Sequence, residues 1–304
     1  MKVTIIIPTL NGGQLWHQVC DSLSMQNKNA FDVLVLDSSS SDDTAEISKK
    51  YGFKVEVIQR KNFNHGGTRN LGVSFLKNTD IVIFLTQDSL PEAECIRNIS
   101  SIFDCDEKIA VAYGRQLPHD DANPLAAHAR YYNYNKESFF SEYIDKEKYG
   151  IKTVFTSNSF AAYRVEYFKK LGGFPTKTIL SEDMYFAAKA IMAGYKTAYV
   201  SDAIVKHSHN YTPIEEFKRY FDIGVFHCDE EWIRINFGGA GGEGFKFIIS
   251  EFKYLIKNHP LWIPRACVHN FFKICGYKIG KKYKLLPKSI VKKISMHSKY
   301  WVSE

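Results

Sequence analysis

The chain lacks the cysteine spacing of a disulfide-stapled or zinc-bound protein. Its six cysteines (Cys20, Cys95, Cys105, Cys228, Cys267 and Cys275) are scattered through 304 residues, with no Cys-x-x-Cys among them. Both kinds of site need tighter patterns, so reduced thiols in a cytosolic protein are expected. No apolar run approaches the roughly 18 residues of a membrane-spanning helix. The opening MKVTIIIPTLNGG is cut by Pro8, too early for the core of a signal peptide. Acidic residues nearly vanish between Phe245 and Glu304, where 13 Lys and Arg face only Glu251 and Glu304, a charge of +11. The whole chain is +7, so residues 1–244 sum to −4. A basic tail on an acidic body calls for a localised anionic partner, either nucleic acid or a membrane surface.

What is present is the make-up of a folded α/β protein. Hydrophobic residues at 45% and charged residues at 24% suit a substantial core. The runs KVTIIIP, FDVLVLD, KVEVIQ and DIVIFL read as strands covered on both faces. Helical stretches fall around Leu15–Met25, Asp42–Lys50 and Thr68–Lys77, the last beginning just after Gly66-Gly67. This rhythm predicts an α/β fold with a mostly parallel central sheet flanked by helices. Strands near IAVAYGR and SNSFAAYR surround a helix over PLAAHARYYNYN. LSEDMYFAAKAIMAGYKTAYV then reads as a helix opened by acids, a stop at Gly194 and a strand. Beyond Pro213 the pattern turns helical, interrupted by the glycine-dense FGGAGGEG. A division into 1–212 and a basic, helical 213–304 is expected.

Ligands of such sheets bind beyond the carboxyl ends of the strands. That rule points to Thr9–Asn11, Asp37–Asp43 and Thr86–Ser89. Asp37 enters DSSSSDDT, where it either begins a helix cap or accepts hydrogen bonds from a nucleobase or ribose. FNHGGTRN places His65, Gly66 and Arg69 at a helix start, suited to an anion or to an ordinary glycine turn. It has no Gly-Lys-Ser/Thr, and no Gly-x-Gly-x-x-Gly follows the first strand, so neither common phosphate loop applies. Asp88, two residues after Thr86 and next to Gln87, either caps a helix or holds a metal. Magnesium needs only one or two protein carboxylates when substrate phosphates complete its shell. His207 and His209 in VKHSHN share one side of a strand by period two and are candidates to join Asp88. Glu182 and Asp183 in SED either favour a helix dipole or supply a general base.

Taken in order, IIIPTLN, VLDSSSSDDT, FLTQDS, SEDM and HSH resemble the inverting family 2 glycosyltransferases, over roughly the first two thirds of the chain. FNHGGTRN, GRQLPHDDANPLAAHARYYNY and FGGAGGEGF are similar to signatures of bacterial O-antigen rhamnosyltransferases, a likeness that extends into the tail. The resemblance implies a GT-A fold, with 1–212 as the nucleotide-sugar-binding and catalytic domain. It implies that 213–304 contacts the acceptor and the membrane surface. It makes Thr9, Asn11, Asp37, His65, Gly66, Arg69, Gln87 and Asp88 nucleotide-sugar contacts, and Asp183 the catalytic base. Asp88 is the surviving acid of an Asp-x-Asp type motif whose first position here is Thr86, with His207 and His209 as further metal candidates. The implied cofactor is Mg²⁺ or Mn²⁺.

The implied reaction transfers L-rhamnose from dTDP-β-L-rhamnose, with inversion, to an undecaprenyl-diphosphate-linked saccharide in O-antigen (lipopolysaccharide) synthesis. Its place would be the cytoplasm, peripheral on the anionic inner face of the cell membrane, with no nucleic-acid partner. Transfer of another nucleotide sugar in capsule or polysaccharide assembly is an alternative. A sugar-nucleotide pyrophosphorylase is a rival of another class, since GGTR is similar to its glycine loop, although that loop should follow the first strand. A nucleic-acid-binding protein is a second rival, resting on the basic tail alone.

Overall fold

Val3–Thr9 (β1) is buried along nearly its whole length because helices cover its apolar residues on both sides. The computed structural model describes residues 1–26, 30–239 and 241–302. After β1 come α1 (Gly13–Met25), β2 (Phe31–Asp37), α2 (Thr44–Lys50), β3 (Lys54–Val57), α3 (His65–Ser74) and β4 (Ile81–Leu85). The strands run parallel in the order β3-β2-β1-β4, with Thr9 in register beside Asp37. These are the strands and helices expected from the βαβα rhythm. The start of α3 differs: it begins at His65 instead of after the glycines. The Asn64 side chain accepts the Gly67 N–H at 2.7 Å and caps the helix early, which draws both glycines into its first turn.

The chain continues through β5 (Leu90–Pro91), α4 (Cys95–Ser101), β6 (Ile109–Leu117), α5 (Pro124–Asn133), β7 (Phe139–Ser141) and α6 (Lys146–Tyr149). Then follow β8 (Phe160–Arg164), α7 (Val165–Lys170), α8 (Glu182–Met192) and β9 (Lys196–Lys206). From β4 the sheet extends as β8-β6-β9-β5, with β8 antiparallel to both neighbours and β9 parallel to β6. Alternation along β4 feeds two cores. Val82 and Phe84 join Tyr163, Phe168, Phe174 and Phe186 on one face, while Ile81, Ile83 and Leu85 join Trp16 and Ile5 on the other.

The helical C-terminal region comprises α9 (Pro213–Asp229), α10 (Glu231–Phe237), α11 (Gly241–Asn258), α12 (Ile263–Gly280) and α13 (Lys288–Ile294). Thr212 and Glu215 form a capping box ahead of α9, with Pro213 in its first turn. α12 lies close against α9 because Gly280 has no side chain; a methyl there would overlap the Phe221 carbonyl. Phe221, Val225, Ile233, Phe237 and Val291 belong to the same core as Phe84. Ala240, within the glycine-dense interruption, lies outside the described residues. All six cysteines are free thiols. Among the described residues no helix is long and apolar enough to cross a membrane.

Candidate active site

The parallel half of the sheet gathers the strand-end residues at one edge, as expected. Thr9 donates its hydroxyl to Asp37 at 3.0 Å, and Asp37 also accepts the Ser40 N–H at 2.9 Å and the Ser40 hydroxyl at 2.5 Å. Asn11, in the left-handed region at φ 49°, accepts the Ser41 N–H at 2.8 Å. Gln87 clamps the β1 end: its carbonyl accepts the Leu10 N–H at 2.7 Å and its amide donates to the Leu10 carbonyl at 3.1 Å. Thr9, Asn11, Asp37 and Gln87 therefore form one hydrogen-bonded rim across the ends of β2, β1 and β4.

Asp88 follows Gln87 and meets the two histidines. Its carboxylate oxygens lie 3.6 Å from His207 Nε2 and 3.6 Å from His209 Nε2. His207 and His209 stand just past the end of β9 instead of on the strand, and both rings still reach Asp88. The protonation of His207 follows from its second neighbour. Arg130 can only donate, so the Gln116 oxygen faces it at 2.6 Å; the same oxygen sits 2.9 Å from His207 Nδ1. His207 must then carry its proton on Nδ1. Burial lowers its pKa below the ordinary histidine value, which keeps it neutral and leaves Nε2 bare.

A bare imidazole nitrogen and a carboxylate oxygen facing each other are two acceptors. That pairing favours a cation between them, and the ligand atoms of Asp88, His207 and His209 all lie within 4.8 Å of one another. The donor set therefore fits a divalent metal, and Gln116 orients one ligand as outer partners usually do. Gln116→Leu is expected to weaken Mn²⁺ binding about 10- to 100-fold. Titration of the variant by calorimetry checks this; unchanged affinity would show that the relay does not set the ligand.

The acidic pair SED sits at the first turn of α8. Glu182 is buried, lies 3.2 Å from Arg69 and accepts the Asn158 side-chain amide at 2.9 Å. Asp183 is half-buried and accepts the backbone N–H groups of Asn158 at 3.0 Å and of Met184 at 2.7 Å. Burial, and then the charge of Glu182, push the Asp183 carboxyl up to about 6, against those two hydrogen bonds. A carboxylate poised near neutrality suits proton abstraction. The turn before β8 ties this acid to the metal-site cluster. Gln116 donates to Ser157 at 2.9 Å, and the next residue, Asn158, holds Asp183.

The other candidates take framework positions. Gly66 packs against Pro175, whose carbonyl a methyl would overlap. Arg69 is buried in its pair with Glu182 and also donates to the His65 carbonyl at 2.9 Å. His65 meets His297 of the C-terminal segment edge-on at 4.9 Å. Gln116, Arg130, Asn158 and Arg219 are absent from the sequence-based set. Gln116 and Arg130 fall inside GRQLPHDDANPLAAHARYYNY, but nothing local marks them. Arg219, on α9, is within electrostatic reach of both Asp183 and His209. It has no hydrogen bond or ion pair among the described residues, only a stack 5.8 Å over Tyr211.

The sequence model described as Glycosyl transferase family 2 matches residues 4–172. The chain is 52% identical to the O-antigen chain rhamnosyltransferase RfbN of Salmonella typhimurium, over 99% of this chain and 96% of that protein. It is 50% identical to the O-antigen chain rhamnosyltransferase WbaN of Salmonella anatum, over 98% and 95%. Among solved structures, a mannosyltransferase from Pyrobaculum calidifontis, in complex with GDP-Man and Mn²⁺, superposes with a TM-score of 0.57. That likeness, at 19% identity over 99% of this chain and 85% of the other, concerns the fold.

Proposed function

The chain belongs to glycosyl transferase family 2, and on that premise we propose that it transfers L-rhamnose from dTDP-β-L-rhamnose, with inversion, to a hydroxyl of an undecaprenyl-diphosphate-linked saccharide during O-antigen assembly. The observation that carries the rhamnosyl reading is the identity of 50–52% to two O-antigen rhamnosyltransferases across nearly the whole chain. Asp183 takes the proton of the attacking hydroxyl. The rim of Thr9, Asn11, Asp37 and Gln87 receives the nucleotide, at the sheet edge where such ligands bind. His65, Gly66 and Arg69 stand behind the base and shape the donor side through the Arg69–Glu182 pair. Asp88, His207 and His209 would hold Mg²⁺ or Mn²⁺, which when bound would neutralise charge on the departing diphosphate. Labour then divides near residue 212, with donor chemistry before it and acceptor contact after it.

Purified enzyme given dTDP-rhamnose and a lipid-linked acceptor should release dTDP, with loss on chelation and recovery with Mn²⁺ or Mg²⁺. Undiminished transfer in chelator would overturn the metal assignment, and preference for another nucleotide sugar would overturn the donor. The pyrophosphorylase rival is disfavoured because Gly66 is spent on packing against Pro175 and opens no phosphate cradle.

The basic tail supports a peripheral site on the cytoplasmic face of the membrane. Leu261 is 92% exposed and Phe271 63% exposed, on segments that also carry the exposed Lys257 and Arg265. Apolar side chains that insert beside cations gain from anionic lipid, about 1 kcal/mol per Lys or Arg. The double variant Leu261→Glu/Phe271→Glu should lose at least about tenfold in partitioning to phosphatidylglycerol vesicles. Equal sedimentation with wild type would remove this face from the membrane reading. Truncation before α13 is a poorer test, since it also removes His297 from its contact with His65.

A further inference from the structure

A cleft of about 740 Å³ opens beside the metal-site cluster, walled by α5, α9, α11 and α12. His209 and Arg219 belong to its lining, so one end is shared with the candidate active site. Along the rest, Leu125, Ala129, Ile223, Phe247, Ile248 and Ile274 offer apolar surface. Phe245 and Ile274 are themselves 66% and 44% exposed, so the apolar lining runs out to solvent. Among the described residues six basic side chains line the space against two acids, Glu216 and Glu243. Both acids are already engaged, Glu216 by Lys273 at 3.3 Å and Glu243 by Lys152 at 2.9 Å. Among the described residues no carboxylate stands within ion-pair distance of Arg219, although Glu216 and Asp183 act on it from further away.

Two side chains in the wall also carry buried nitrogens without a hydrogen-bond partner among the described residues. His269 is 2% exposed, and neither of its ring nitrogens has a hydrogen bond among the described residues. Arg130 Nε is likewise unpartnered. Buried donors without acceptors are costly, and here they border open space lined with cations. An anionic head with several oxygens would satisfy them, and an attached apolar chain would cover the aliphatic and aromatic lining.

We infer that this cleft seats the lipid-diphosphate portion of the acceptor, with the diphosphate at Arg219 and the isoprenyl chain running between α5 and α11. The inference rests on the transferase reading and deepens it: the enzyme reads the lipid carrier itself and thereby presents the terminal sugar to Asp183. A simpler amphiphile carries the same chemistry, so farnesyl diphosphate is the probe, with inorganic pyrophosphate and farnesol as its two halves.

Calorimetry on the full chain, with dTDP and Mn²⁺ present, should show farnesyl diphosphate binding at least tenfold tighter than either half. Ala129→Phe, which narrows the apolar end, should weaken farnesyl diphosphate at least tenfold and leave pyrophosphate unchanged. Arg219→Ala should weaken both anions. Lys281→Glu, at a half-exposed position of the lining, repeats the charge test where folding is not at stake. Farnesyl diphosphate binding no tighter than farnesol, or indifferent to Ala129→Phe in a variant with wild-type thermal melting, would overturn the assignment. Failure of wild type to bind dTDP with Mn²⁺ would instead strike at the donor reading, so the two failures are distinguishable.

Discussion

Asp183→Asn is expected to lower kcat about 10²- to 10⁴-fold, the usual worth of a positioned base, while dTDP and Mn²⁺ bind as before. The amide keeps the size of the carboxylate and its one oxygen can still accept the Asn158 N–H, at the loss of the Met184 N–H contact, so the α8 start should survive. What disappears is the group able to take a proton. The wild-type pH profile should show the same group. Only ionised Asp183 can act as base, and burial with the Glu182 charge raises its pKa to about 6. Turnover should therefore fall as pH drops through about 6 and level off above it. Glu182 is not placed to take over, since it is buried and its Oε1 is held by Arg69 and Asn158. Glu182→Gln breaks a buried ion pair and should act mainly on stability, by roughly 3–5 kcal/mol. Near-normal turnover by Asp183→Asn, or an acid limb unchanged in its residual activity, would remove Asp183 as the base.

The residues that sequence could place are those whose location follows from position along one strand. Thr9, Asp37 and Asp88 stand where apolar runs stop, and a parallel sheet brings such stops to one edge whatever the details of its helices. The pairing of His207 with His209 survived a misplacement, because alternation carried past the end of β9 still turns both rings to Asp88. FNHGGTRN shows the limit. Paired glycines at a helix start permit a close approach, but the sequence does not say of what; here it is Pro175. Arg69 read as a phosphate ligand in isolation, and its carboxylate partner lies more than a hundred positions away in SED. The Arg130–Gln116–His207 relay spans α5, β6 and the end of β9, so no local pattern could have joined it. Arg219 was hidden for a related reason: one arginine on an amphipathic helix is ordinary until the fold leaves it facing a cleft with no hydrogen bond or ion pair among the described residues.

Asp88→Ala should abolish the dependence of donor binding on metal, and it tests how a single acid serves where the family motif has two. The first motif position is Thr86, whose hydroxyl lies 2.8 Å from that of Ser89 and is engaged within the turn. At such a site the protein would offer one carboxylate and two imidazoles, and the donor's diphosphate with water would complete the shell. Metal alone should accordingly bind weakly, and dTDP should tighten it, because each supplies ligands the other needs. In wild type, Mn²⁺ with dTDP should raise the melting temperature in proportion to the logarithm of their concentration over the dissociation constant. In Asp88→Ala that rise should vanish, while the metal-free melting temperature should change little, since the Asp88 side chain is 30% exposed. His207→Ala should lose less than Asp88→Ala, because the remaining acid still neutralises half of the ion's charge. A Mn²⁺-dependent rise persisting both in Asp88→Ala and in Asp88→Ala/His209→Ala would place the metal elsewhere. A rise that persists only when His209 is also intact would make the imidazoles, and not the acid, the principal ligands.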